Sequence, residues 1–220
     1  MTSTDLLIQH LAQHARPVRR MASPLARTGG WLLFSAGVVA AILAVYGLRE
    51  GFGAVFTVRP ALLEWVGSLL TGVLAAYATF QVSVPGRSRS WALLPVPALL
   101  MWLAGMGWGC LHDAARLGHE ALAFELVSGE CAMAIALTSI PLAGALLLMV
   151  RHAGVVRPHA SALLAALSAA SISAASVTLY HEGETALMVL LWHAGAVAIL
   201  SLASMAFGRP LFAWIGHAKR

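Results

Sequence analysis

The chain has 220 residues, 60% of them hydrophobic and only 10% charged, with a mean hydropathy of +0.81. A soluble domain carries about 25% charged residues, so this composition excludes a water-covered globule and assigns the chain to a lipid bilayer. The net charge of +5 would suggest a nucleic-acid partner in a soluble protein. In a membrane protein the position of Lys and Arg matters more than their surplus, and no direct contact with nucleic acid is expected.

Residues 1–28 form a polar head. Ser3 or Thr4 can cap a short helix that Pro17 stops, with Leu7, Leu11, Ala15 and, less strictly, Ile8 on one face and Gln9, Gln13 and Arg16 on the other. Two readings stay open. The helix lies on lipid headgroups, helped by Arg19, Arg20 and Arg27, or it docks in a groove of a soluble partner. The apolar run after it is longer than the roughly 7–15 residues of a signal-peptide core, so no secretory signal is expected.

Six uncharged stretches follow: Thr28–Leu48, Trp65–Gly86, Ser90–Leu111, Cys131–Val150, Ala160–Tyr180 and Thr185–Gly208. Each is long enough to span a hydrocarbon core of about 30 Å as a helix. Pro95, Pro97 and Pro141 fall inside two of them and predict kinks, since spanning helices tolerate proline when neighbours satisfy the freed carbonyls. In the fifth run Ala165, Ala169 and Ser173, at four-residue spacing, admit a close helix neighbour. Trp31, Trp65, Trp91, Trp108 and Trp214 sit near run ends, as an aromatic belt would. The expected fold is an all-α polytopic membrane protein. It has a cytoplasmic head (1–28), a six-transmembrane-helix sensor domain (29–208) and a cytoplasmic tail (209–220).

Eleven of the fourteen Lys and Arg fall in the head, the second and fourth loops and the tail, against Arg49, Arg59 and Arg116 on the other side. The positive-inside rule then puts both termini in the cytoplasm. Of the acids only Asp5 is inside. The outer face gathers Gly109-Cys110-Leu111-His112-Asp113, then His119 and Glu120, then Glu130-Cys131, and finally Tyr180-His181-Glu182-Gly183-Glu184. Ionisable groups at a helix mouth are costly to insert and mark a task or a partner. Thiolate, imidazole and the Met133 thioether suit a soft or borderline ion such as Cu(I) or Zn(II), while two thiols in an oxidising compartment could form a disulfide. The bland alternative is a solvated acidic rim around cysteines that are small buried hydrophobes. His193, about 12 Å into the last run at the helical rise, faces the bundle interior, where it either bonds to a neighbouring helix or serves in proton sensing or ligation as a further candidate sensing residue. One deep histidine does not make a bis-His haem site. No nucleophile elbow, Ser/His/Asp set or phosphate loop is present, and no enzyme is expected.

The motifs add a resemblance. Pro17-Val18-Arg19-Arg20, Ser83-Val84-Pro85-Gly86-Arg87-Ser88-Arg89 before Trp91-Ala92-Leu93-Leu94-Pro95, Gly107-Trp108-Gly109-Cys110-Leu111, Glu130-Cys131 and Leu187-Met188-Val189-Leu190-Leu191-Trp192-His193 stand in a distinctive order and spacing. In these the chain resembles the negative-regulator-of-sigma-F (NrsF-like) family of six-span bacterial inner-membrane anti-sigma factors. The resemblance implies an extracytoplasmic-function sigma factor held by the cytoplasmic head, with Leu7, Leu11, Val18, Arg19 and Arg20 as candidate contacts. A periplasmic metal ion or oxidant would release it. Family members carry a cysteine where Cys131 stands and often a second at the last outer link, where this chain has His181. That departure favours metal ligation by Cys131 and His181, with Glu130, Glu182 or Cys110, over a two-thiol switch. Two rival readings are a small transporter or metal-handling membrane protein that uses the same mouth, and a structural subunit.

Overall fold

The computed structural model describes residues 3–13, 21–119, 129–153, 155–181 and 185–216. Among the described residues all regular structure is helical. The amphipathic α1 (Ser3–Gln13) precedes α2 (Pro24–Tyr46), a 3-10 turn (Phe52–Phe56), α3 (Arg59–Val82), a second 3-10 turn (Arg89–Leu93), α4 (Val96–Leu117), α5 (Glu130–Val150) and α6 (Pro158–Tyr180). The last long helix, Ala186–Ala206, runs as α7 (Ala186–Val189), a π-helical turn (Leu190–Ala194) and α8 (Gly195–Ala206), and α9 (Gly208–Gly216) closes the chain. Six of these helices are long and apolar enough to cross a membrane.

Local chemistry sets the boundaries. α2 begins four residues before the apolar run does, because Ser23 Oγ accepts from the Ala26 amide at 3.2 Å and Pro24 occupies the first turn, where its missing N–H costs nothing. The kinks expected at Pro95 and Pro97 are not there. The chain instead makes a 3-10 turn and starts α4 at Val96, which places Pro97 in the tolerant first turn. At its far end α4 runs past Leu111 through His112 and Asp113, closing on Gly118 at φ 59°. Pro141 lies inside a continuous α5.

The bundle is organised around α6, 78% of whose span is buried against 17% for the peripheral α2. Ala165, Ala169 and Ser173 are fully buried, as their spacing predicts. In lipid, helices associate through close packing and hydrogen bonds more than through hydrophobic drive, and small residues supply both here. Ser168 Oγ donates to the Gly72 carbonyl at 2.6 Å. A Cβ on Gly67 would stand 2.7 Å from Trp102 Cα, and one on Gly105 2.6 Å from the Glu64 nitrogen. Only glycine lets α3 and α4 approach so closely.

The polarity is inverted relative to a soluble protein. Thr71, Thr79, Ser168 and Ser171 are buried while Leu33, Val45 and Ile199 are exposed. So broad an apolar surface exceeds what a soluble monomer shows water and matches a lipid surround. One tryptophan departs from the expected belt. Trp31 is fully buried, with Nε1 donating to the Leu142 carbonyl at 3.1 Å.

The bundle has two distinct ends. At one, Arg27 donates to the Met149 carbonyl and stacks over Phe80 at 4.4 Å, and Ile215 of α9 joins the core of Trp31, Leu146 and Val150. Arg87, Arg89, Arg151, Arg157 and Arg209 belong to this arginine-rich end. The opposite, acidic end carries Glu50, Glu64, Asp113 and Glu130.

Candidate functional site

Among the described residues, every segment reaching the acidic end except α2 contributes to one cavity of about 210 Å³. That holds a cluster of waters or a hydrated ion. The link after α2 supplies Arg49, whose amide donates to the Leu179 carbonyl at 2.8 Å and whose Nη1 donates to the His181 carbonyl at 3.4 Å. Its Nε is buried without a hydrogen-bond partner. α3 supplies Glu64, pressed against Gly105 of α4. α4 supplies His112 and Asp113, 3.7 Å apart, and Asp113 Oδ2 accepts from the Ala186 amide at 2.8 Å. That carboxylate therefore caps the last long helix, satisfying an amide that a helix start leaves orphaned.

Cys131, in the first turn of α5, is 3% exposed and packs in a core with Trp102, Met106, Ile135, Val177 and Val197. His181 follows directly on α6, where Tyr180 stacks on Tyr46 with centroids 5.5 Å apart. His193 sits in the π-helical turn, buried, and lies within electrostatic reach of His181. π-turns inside α-helices often mark functional positions. This one carries the only histidine of the last long helix.

Of the residues singled out by sequence, Cys131, His181 and His193 line the same cavity. Glu130 is exposed at the head of α5 and Cys110 is half-buried on α4; neither lines it. Glu182, Val18, Arg19 and Arg20 lie outside the described residues, whereas Leu7 and Leu11 are exposed on α1. Sequence reasoning did not single out Arg49, Glu64 or Asp113. Glu64 had a signal, as the one acid inside α3, masked by starting that span at Trp65 instead of Arg59. Chemically the cavity offers one thiol, two carboxylates, three imidazoles and a guanidinium. Neither cysteine is in a disulfide, and among the described residues no three His, Cys, Asp or Glu are close enough to hold a metal ion.

The model of a family described as negative regulator of sigma F matches residues 11–214. A protein of Azospira oryzae named probable anti-sigma-F factor NrsF is 26% identical over 218 residues, which covers 96% of this chain and 99% of that relative. No solved structure matches.

Proposed function

The chain belongs to the negative-regulator-of-sigma-F family, and from that premise we propose that it is an anti-sigma factor of the bacterial inner membrane that sequesters an extracytoplasmic-function sigma factor and releases it when a periplasmic signal reaches the cavity beside Cys131. The observation that carries the reading is the family match from residue 11 to 214, which takes in the six long helices and part of α1. Both termini and the arginine-rich end face the cytoplasm, following the positive-inside rule. There α1, which buries none of its residues, and the basic stretch Val18, Arg19, Arg20 after it receive the sigma factor. The bilayer is the second partner, and nucleic acid is not touched directly. The transporter alternative has no observation of its own to set against the match.

The signal is a soft or borderline metal ion, or an oxidant acting on the Cys131 thiol. A ligand shifts a conformational equilibrium only by its preference for one arrangement. Because Cys131, His181 and His193 share a cavity without forming a ready metal site among the described residues, an ion that recruits them must draw together the outer ends of α5, α6 and the π-helical turn. Movement of α5 is passed to its far end, where Met149 accepts from Arg27 at the root of the head.

The test is co-purification of the detergent-solubilised full chain with the sigma factor encoded beside it. Copper, zinc or a mild oxidant is then added to wild type and to Cys131→Ala. Capture that the signal reverses in wild type, and leaves intact in Cys131→Ala, is expected. Capture reversed equally in both would remove Cys131 from the mechanism, and no capture at all would overturn the reading.

A further inference from the structure

A second cavity, of about 340 Å³, opens at the arginine-rich end, far from the one beside Cys131. Three separate segments bring guanidinium groups to it: Arg89 from the 3-10 turn before α4, Arg157 at the N-cap of α6, and Arg209 at the start of α9. We infer that this cavity binds the phosphate of an anionic phospholipid headgroup.

The charge balance is the first ground. Arg157 Nη1 is buried and has no hydrogen-bond partner. Among the described residues no carboxylate forms an ion pair with any of the three arginines. Arg89 and Arg209 are exposed and Arg157 is half-buried; a guanidinium whose buried nitrogen has no partner favours a counter-charge, and guanidinium forks match phosphate oxygens in geometry. The second ground is what lies beside them. Arg157 makes no side-chain cap at the start of the 23-residue α6, just before Pro158, which has no N–H, and a helix start without a cap favours an anion.

The third ground distinguishes an amphiphile from a soluble anion. Val82 and Ala92 form apolar wall beside the arginines, and the site lies where helices long enough to cross a bilayer end. Basic recesses between membrane helices on the cytoplasmic side take lipid headgroups in this way. The site is also built, not incidental. His159 Nδ1 is 2.8 Å from the Met205 carbonyl, and Gly208 fits so tightly that a Cβ would stand 2.8 Å from the Pro158 carbonyl oxygen. The first contact holds the end of α8, and the second the start of α9 with Arg209, against the start of α6.

The experiment is native mass spectrometry and thermal unfolding of the detergent-solubilised full chain with added phosphatidylglycerol, phosphatidylcholine or inorganic phosphate. Phosphatidylglycerol is expected to give a one-to-one adduct and to raise the unfolding temperature, and phosphatidylcholine to do neither. Arg157→Gln combined with Arg209→Gln should weaken the adduct by at least roughly tenfold, as loss of two charge-assisted contacts implies. Arg87→Gln, an exposed arginine of the same end outside the cavity, should leave it unchanged, and Arg157→Lys guards against misfolding by keeping the charge. Equal adducts with both lipids, or an undiminished one in the double variant, would overturn the inference. Inorganic phosphate matching phosphatidylglycerol would assign the cavity to a soluble anion instead. A double variant that loses sigma-factor capture yet keeps the lipid adduct would assign it to the protein partner.

Discussion

Glycine shows at the scale of one residue how little freedom the bundle has. Gly105 and Gly107 stand two apart on α4, but a Cβ at 105 would meet the Glu64 nitrogen at 2.6 Å, whereas nothing lies within 4 Å of one at 107. Gly107→Ala therefore gains helix propensity, up to about 1 kcal/mol. Gly105→Ala forces α3 and α4 apart and costs about 1–3 kcal/mol through overpacking. Thermal unfolding in detergent should separate the two variants in sign, and equal melting temperatures would contradict the close approach of the two helices. Gly105→Ala should also disturb the cavity, since the residue it strikes is Glu64. Legibility at this scale followed contrast. Cys131 and His193 stood out because a thiol and an imidazole interrupt apolar runs, and both line the cavity. Arg49 read as an ordinary loop charge, because its role depends on Leu179 and His181, more than 100 residues away, which no local pattern encodes.

Among the described α-helices, α1 is the outlier: it buries no residue, and Leu7 and Leu11 stand 58% and 61% exposed. Changing both to Asp should leave the bundle's unfolding temperature nearly unchanged, since surface substitutions stay within about 0.5 kcal/mol. If the sigma factor covers them, each loses about 1.5–3 kcal/mol of apolar burial. Affinity for the sigma factor should then fall by roughly a hundredfold or more. A fluorescence binding assay with the solubilised protein reads this directly. Unchanged affinity would leave α1 as a helix lying on lipid. The elements themselves were largely legible, because six long apolar runs admit few other structures. Two features were not. Pro95 and Pro97 suit a kink or a helix start equally well in sequence, and the chain takes the start, with Pro97 in the first turn of α4. The π-helical turn at Leu190–Ala194 has no local signature, and it is this turn that holds His193 buried at the cavity.

For the whole molecule the deciding feature is the separation of charge. An even number of helices long enough to cross a membrane, six, would return the chain to the side it left, and the contact of Arg27 with Met149 and the packing of Ile215 in the core that holds Trp31 tie the start of α2, the end of α5 and α9 into one end. That end gathers arginines, while Glu50, Glu64, Asp113 and Glu130 occupy the other. Arginine resists translocation whereas acids contribute little to orientation, so insertion should leave the arginine-rich end in the cytoplasm. A Cys110→Ser, Cys131→Ser background frees the chain of its own thiols for the test. A single cysteine at Glu50 should react with a membrane-impermeant maleimide in intact cells, and one at Arg87 only after the membrane is opened. The reverse pattern would place α1 outside, where no sigma factor is available, and would sink the anti-sigma mechanism even though the family assignment stood. The expected pattern would make the two ends address two compartments. A signal taken up beside Cys131 would then reach the root of the head along the helices that touch both, since Glu64 of α3 and Cys131 of α5 line the cavity while Phe80 of α3 and Met149 of α5 contact Arg27.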